Sequence, residues 1–239
     1  MFTNATFNLI MLVGEVAILY TVGRLVNQYL VYLILHASSG TAMLLHILYA
    51  PGVALHETSH AIMVTAFGGK ISRFVPYHPQ EDKEVGGLRL GYVEYGMPSN
   101  NPVTGFLIGI APLVGVPLIL FGLAELLVPG ASFSHGLVSV VGGAFNNLAA
   151  NPLSVTGLTA IIFLYLLLSG SLGLLPSVSD HRDLIPFTVI LAIVLGGAYL
   201  LGGSLNFSAL APASNFLSQL MLPPAAITVL LYGSMQSKR

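Results

Sequence analysis

Two histidines and a glutamate have the spacing that catalysis at a metal ion requires. His56, Glu57 and His60 form a His-Glu-x-x-His sequence. On an α-helix, residues four apart lie on the same face, so both imidazoles can bind one metal ion. Glu57 projects about 100° away, where its carboxylate can accept a proton from a metal-bound water. Because zinc lowers the pKa of its bound water to about 7, the pattern predicts hydrolytic chemistry.

The composition around this motif is typical of a polytopic membrane protein. Of the 239 residues, 55% are hydrophobic and 7% are charged, and the mean hydropathy is +0.85. Soluble domains carry about 25% charged residues. The net charge of −1 gives no support for nucleic-acid binding. Cysteine is absent, so disulfides and thiolate ligands are excluded, and any metal must be held by His, Asp, Glu or water.

Six apolar segments predict an all-α polytopic fold of about six transmembrane helices in a single membrane-embedded domain, residues 1–239. Residues 130–151, which are rich in Gly, Ser and Asn, predict a re-entrant or interfacial segment instead of a seventh span. The motif falls in the second half of the second span, after a Pro51-Gly52 pair that should loosen the helix. The six segments are approximately Phe7 to Leu35, Thr41 to Phe67, Val103 to Val128, Ser154 to Leu175, Ile185 to Leu201 and Leu217 to Tyr232.

The connection between the second and third spans differs from the rest of the chain. Residues 70–95 hold eight of the 17 charged residues. Strand-forming runs at Ile71 to Tyr77 and Leu88 to Tyr95 flank a charged turn at Gln80 to Gly87, which predicts a β-hairpin at the membrane surface. Two roles are open for it: an unpaired strand edge can hold an unwound substrate by strand addition, or the hairpin merely covers the site.

The placement of basic residues orients the predicted spans. With six spans, both termini and the connections after spans two and four share one side, which holds seven of the eight basic residues. The positive-inside rule places this side, and the motif near it, in the cytoplasm. A catalytic zinc normally has three protein ligands, and the connection after span four supplies three candidates on that same side. These candidates are Asp180, His181 and Asp183.

The motif in one span, followed by a segment with Pro and Asp at a later span end, resembles the site-2 protease family of intramembrane zinc metalloproteases. In that family the later segment reads approximately Asn-x-x-Pro-x-x-x-Leu-Asp-Gly, and its Asp is the third zinc ligand. Here Leu174-Leu175-Pro176 matches, Gly173 stands in place of the Asn, and Asp180 follows Pro176 by four residues, one fewer than in the family. The segment Gly109 to Gly115 is similar to a Gly-Pro-x-x-Asn segment of the family, without its Asn.

This resemblance implies a compact intramembrane metalloprotease without a PDZ-like insertion, embedded in the lipid bilayer. Its substrates would be transmembrane or membrane-anchored proteins, cut near the cytoplasmic face. The resemblance implies one Zn²⁺ per chain, held by His56, His60 and Asp180, with Glu57 as the catalytic base. Asp183 stays an alternative third ligand. Two other interpretations remain: a membrane zinc-binding protein or transporter without hydrolytic activity, and an inactive relative that binds membrane partners.

Overall fold

The protein is mostly helical, with two short antiparallel strand pairs inserted between helices. The computed structural model describes residues 38–82, 87–98, 101–131 and 136–174, with scattered helical residues between 18 and 34 and between 226 and 233. The predicted helical class with a small antiparallel sheet is confirmed. In chain order the elements are α1 (Ser39–Ala66), β1 (Lys70–Val75), β2 (Gln80–Asp82), β3 (Gly87–Arg89), β4 (Tyr92–Gly96), α2 (Pro102–Gly109), α3 (Ala111–Leu127), α4 (Gly136–Ala150) and α5 (Val155–Gly173).

Helix α1 carries the His-Glu-x-x-His motif and ends at a glycine pair. Gly68 has a φ of 74°, a left-handed conformation that glycine adopts without steric cost. The N–H of Gly69 donates to the carbonyl of Val64 at 2.9 Å, and the N–H of Gly68 donates to that of Thr65 at 3.0 Å. This pattern satisfies two of the last carbonyls of the helix and turns the chain into β1.

Two helical stretches of the described residues are long and apolar enough to cross a membrane. They are Pro102–Leu127, which joins α2 and α3 over 26 residues, and Val155–Gly173 with 19 residues. They coincide with the predicted third and fourth spans. Helix α1 is longer, at 28 residues, but its histidines, glutamate and hydroxyl side chains lower its apolar content. The described part of the chain therefore shows two candidate spans; the predicted fifth span lies wholly outside it, and the first and sixth mostly so.

Three helices form the centre of the described structure. Helix α1 packs against α3 and α5, and α3 packs against α5, while α4 lies along α5. Helix α4 occupies most of the segment that the sequence predicts to be re-entrant or interfacial. Its 15 residues correspond to ~22 Å, which is shorter than the ~30 Å hydrocarbon core of a bilayer.

The predicted β-hairpin is present between α1 and α2. Strand β1 pairs antiparallel with β4, and β2 pairs with β3 further out, with the N–H of His78 donating to the carbonyl of Leu90 between the two ladders. The predicted charged turn at Gln80 to Gly87 is too long, because β2 and β3 extend into it. Charged side chains do not prevent this pairing, because the ladder is formed by backbone N–H and C=O groups.

Candidate metal centre

His56 and His60 bring their Nε2 atoms together on one face of α1. The two nitrogens are 3.1 Å apart, and the ring centroids are separated by 4.8 Å. His56 is 8% exposed, and His60 is half-buried. Two imidazoles on a tetrahedral zinc, with Zn–N bonds of ~2.05 Å, have nitrogens about 3.3 Å apart. The observed separation therefore fits two adjacent positions of a zinc coordination sphere.

Hydrogen bonds to backbone carbonyls fix the tautomer of both rings. His56 Nδ1 donates to the carbonyl of Gly173 at 2.7 Å, and His60 Nδ1 donates to that of Ile108 at 2.8 Å. Because a carbonyl can only accept, each Nδ1 carries a hydrogen, and the Nε2 of a neutral ring is then a lone pair. Two lone pairs 3.1 Å apart repel unless a cation lies between them, either a metal ion or one shared proton.

Local helix chemistry makes each of these two carbonyls available. Gly173 is the last residue of α5, and the carbonyls in the last turn of a helix have no donor within that helix. Ile108 lies four residues before Pro112, which has no N–H to donate to it. The sequence therefore supplies both acceptors by ending one helix and interrupting another. Hydrogen bonds of this kind orient metal-binding histidines and raise their basicity.

Helices α1 and α5 touch backbone to backbone at a pair of glycines. A Cβ on Gly52 would overlap the carbonyl of Ser169, and a Cβ on Gly173 would overlap the carbonyl of Gly52. The N–H of Gly52 donates to Ser169 Oγ at 2.8 Å, and Ser169 is fully buried. His56 lies one turn after Gly52 in α1, so this close approach sets the position of His56 relative to the carbonyl of Gly173.

Pro51 removes one N–H donor from the hydrogen-bond ladder of α1 just before the motif. It cannot donate to the carbonyl of Ile47, four residues earlier, and Tyr165 Oη donates to this carbonyl instead at 2.7 Å. Helix α1 thus continues through the proline because α5 replaces the missing donor. The interruption gives α1 and α5 a further hydrogen bond near the glycine contact.

The residues between the two histidines pack against α3. Ser59 is 4% exposed, and a Cβ on Gly115 would collide with its side chain. Ser59 Oγ donates to the carbonyl of Leu55 at 2.8 Å, which satisfies the hydroxyl within its own helix. The small residues at positions 59 and 115 let α1 and α3 approach closely, so that His60 reaches the carbonyl of Ile108.

The hairpin lies against the side chain of Glu57. Gly91, the residue before β4, is buried, and a Cβ there would come within 2.9 Å of Glu57 Cγ and 3.0 Å of Val53 Cγ1. The carbonyl of Pro76 is as near, at 2.9 Å. The half-buried Glu57 is therefore covered by hairpin backbone, and only glycine at position 91 leaves room for its methylene groups.

A tyrosine anchors the outer part of the hairpin to α1. Tyr77 Oη is hydrogen-bonded to His46 Nδ1 at 2.7 Å, and the two rings meet edge to face. Burial raises the pKa of Tyr77 to about 12, so the phenol stays neutral and retains its hydrogen at physiological pH. His46, ten residues before His56, lies off the helix face that carries His56 and His60, and it holds the hairpin instead.

The third predicted ligand falls outside the described residues. Asp180 and the alternative Asp183 both follow Leu174, the last residue of this continuous described part. Within the described residues, no further His, Cys, Asp or Glu completes a group of three metal ligands. The structure thus brings His56 and His60 together and leaves the choice of the third ligand a prediction.

Comparison with known proteins adds no relative: no family model, no curated protein and no solved structure matches the chain. The chemistry of the site therefore has to be argued from its own residues and geometry.

Sequence reasoning missed the backbone groups that hold the site. The carbonyls of Ile108 and Gly173, and the backbone at Gly91, have no side-chain signature that a motif search detects. One signal was present: Pro112 stands four residues after Ile108, and a proline inside an apolar helix frees one carbonyl. Which side chain would use that carbonyl depended on how α1 and α3 pack.

Proposed function

We propose that this chain is an intramembrane zinc metalloprotease that hydrolyses peptide bonds of transmembrane or membrane-anchored proteins. The observation that carries the proposal is the pair of Nε2 atoms, 3.1 Å apart, next to a glutamate in the same helix. Both rings are held by their Nδ1 atoms, so the metal-binding nitrogens are pre-organised before any ion binds. Zinc suits this set because imidazole and carboxylate are among its usual ligands.

The exposed surface of the helices supports a location in the membrane. Helices α1, α3 and α5 carry large apolar side chains on their outer faces, and soluble proteins rarely expose so many together. Two helical stretches have the length and composition of spans, and both have an end at the site: α5 ends at Gly173, and α2 begins six residues before Ile108. Strongly exposed examples are Met43, Leu44, Ile62, Leu126, Leu158 and Ile162.

The chemistry follows from the roles of the three motif residues. When bound, zinc supplies a Lewis acid that polarises the scissile carbonyl and acidifies water. His56 and His60 hold the ion through Nε2. Glu57 accepts the proton of the attacking water and delivers it to the leaving amine, which is general base and then general acid catalysis. The hairpin backbone at Gly91 lies against the methylene groups of Glu57 and so covers one side of the proposed base.

A third ligand from the segment after α5 completes the proposed site. The carbonyl of Gly173 contacts His56, so this segment starts at the histidine pair. Asp180 follows Leu174 by six residues, and six residues of extended chain span at most ~20 Å. This reach allows either aspartate to meet the histidine pair, and the resemblance favours Asp180 as the proposed ligand, with Asp183 as the alternative. Metal analysis of Asp180→Ala beside Asp183→Ala distinguishes them, because only the true ligand's variant should lose zinc.

The six-span topology completes the proposal. With termini, hairpin and site on the cytoplasmic side, seven of the eight basic residues face the cytoplasm. Cleavage is then expected near the cytoplasmic face of the bilayer. Labelling of single cysteines introduced at the termini and in the hairpin, in a chain without native cysteine, tests this orientation directly.

The decisive test of hydrolysis is Glu57→Gln, with the full-length protein in liposomes and tagged single-span proteins as substrates. The variant should retain zinc and lose cleavage by about 100-fold or more, because the glutamine amide cannot accept the proton. Glu125→Gln, an exposed change towards the far end of α3, is the matched control and should cleave like the wild type. Cleavage by Glu57→Gln at the wild-type rate, or zinc flux into liposomes without cleavage, would contradict the proposal.

A further inference from the structure

A proline interrupts the apolar stretch that contacts the metal-binding helix. Helix α2 ends at Gly109 and α3 begins at Ala111, although Pro102–Leu127 as a whole is apolar enough to cross a membrane. The break is placed by Pro112, which stands in the first turn of α3. A proline ring clashes with the carbonyl four residues earlier, tilts this carbonyl away from the helix axis and offers it no N–H. The carbonyl affected is that of Ile108.

The carbonyl that Pro112 frees is the one that His60 uses. His60 Nδ1 donates to it at 2.8 Å, across the contact between α1 and α2. In an unbroken helix the N–H of residue 112 would donate to this carbonyl, which would then point along the helix axis and away from α1. The hydrogen bond that selects the His60 tautomer therefore depends on Pro112, a residue that lies outside the His-Glu-x-x-His motif and in another helix.

We propose that Pro112 is a positioning residue for His60: because it has no N–H, the carbonyl of Ile108 lacks its usual helical donor and accepts from His60 Nδ1, which directs Nε2 to the metal. This inference rests on the proposed function in one respect, that His60 binds zinc. His56 needs no such device, because its acceptor lies at the end of α5, where no helical donor competes.

The chain provides a matched control in the same helix. Pro117 lies five residues further along α3, is buried, and also lacks an N–H. The carbonyl it frees, that of Leu113, is not the acceptor of either histidine Nδ1. Replacing either proline with alanine adds one helical N–H and removes one ring, so the two variants differ in which carbonyl regains its donor.

Zinc affinity of the full-length protein in detergent, measured by competition with a chelator, tests the inference. Pro112→Ala should bind zinc about 10- to 100-fold more weakly than the wild type, as loss of a ligand-orienting hydrogen bond does in other zinc sites. Pro117→Ala should stay within about threefold of the wild type. The absorption spectrum of bound Co²⁺ should change in Pro112→Ala alone, since it reports coordination and not overall stability. Equal affinities and spectra for both variants would overturn the inference.

A second measurement needs no variant to fold. In the metal-free wild type with ¹⁵N-labelled histidine at a pH where the rings are neutral, His60 should be the Nδ1–H tautomer. The opposite tautomer would overturn the inference whatever the variants do. The two proposals fail separately: a wild type that binds no zinc contradicts the proposed protease, while the tautomer still reports whether His60 donates to Ile108.

Discussion

Helix α1 packs against helices on one side of the motif and against the β-hairpin on the other. Towards α5 it is in backbone-to-backbone contact at Gly52 and Gly173, and towards α3 the side chain of Ser59 lies against Gly115. On this side the two histidines reach the carbonyls of Ile108 and Gly173. Towards the hairpin it meets two-stranded pairs, and β1 is exposed along nearly its whole length. The first side is buried, and close packing between helices fixes it. The second side is held by Gly91 and Tyr77.

The difference matches what each side has to do. Metal ligands must be held to a fraction of an ångström, which requires packed elements and fully used hydrogen bonds. Under the proposed function, the carboxylate of Glu57 meets a substrate, so the element that covers it has to allow a peptide to approach. Regions with few buried contacts open at a lower free-energy cost than the core. Rigidity is therefore concentrated behind the histidines, and the hairpin is the more easily displaced cover.

The largest effect is expected from a methyl group at the glycine contact. Gly52→Ala would place a Cβ on the carbonyl of Ser169, so α1 and α5 must separate. The free energy of unfolding in detergent should fall by about 3 kcal/mol or more, as overpacking of a core does. Gly122→Ala in α3 is the control, because a Cβ there meets nothing within 4 Å and the change should stabilise by at most ~1 kcal/mol. Similar stabilities for the two variants would contradict the tight packing of α1 against α5.

A smaller and more selective effect is expected at the hairpin. Gly91→Ala should displace the side chain of Glu57 while leaving the Nδ1 anchors of the histidines in place. We expect cleavage of a model substrate to slow by about 10- to 100-fold, because proton transfer depends on the position of the base, with zinc affinity within about threefold. Gly96→Ala, where a Cβ meets open space, should behave like the wild type. Loss of zinc from Gly91→Ala would show that the hairpin also supports the ligands.

The smallest effects are expected from the loss of two tyrosine hydrogen bonds, one towards α5 and one towards the hairpin. Tyr165→Phe removes the donor to the carbonyl of Ile47, and Tyr77→Phe removes the partner of His46. Each loss should amount to about 1 kcal/mol. Tyr165→Phe should lower the free energy of global unfolding, whereas Tyr77→Phe should speed hydrogen exchange of hairpin amides about fivefold without changing global stability. The same global loss in both variants would contradict a separately opening hairpin.

The sequence predicts local features well where one kind of signal dominates. Apolar runs located α1, α3 and α5, a charged strand-forming segment located the hairpin, and the spacing of His56 and His60 placed both on one helix face. It did not predict the short strands β2 and β3, since backbone pairing there does not depend on an apolar pattern. Nor did it predict the helix break at Ile110 that follows from Pro112.

The supports of the site escape prediction for a different physical reason. The carbonyls of Ile108 and Gly173 act through their backbone atoms, and every residue type has a carbonyl. Gly91 matters because it has no side chain, which leaves room for Glu57, a residue 34 positions earlier in the chain. Such groups become recognisable only when packing brings distant segments together.

Zinc content of the purified full-length protein tests the central claim most directly, that His56 and His60 share one metal ion through their Nε2 atoms. The wild type should hold about one zinc per chain, and His56→Ala and His60→Ala should each lose it. His46→Ala is the control, because this histidine is bonded to Tyr77 and lies off the metal-binding face. Zinc retained by either His56→Ala or His60→Ala, or lost equally from His46→Ala, would contradict the account.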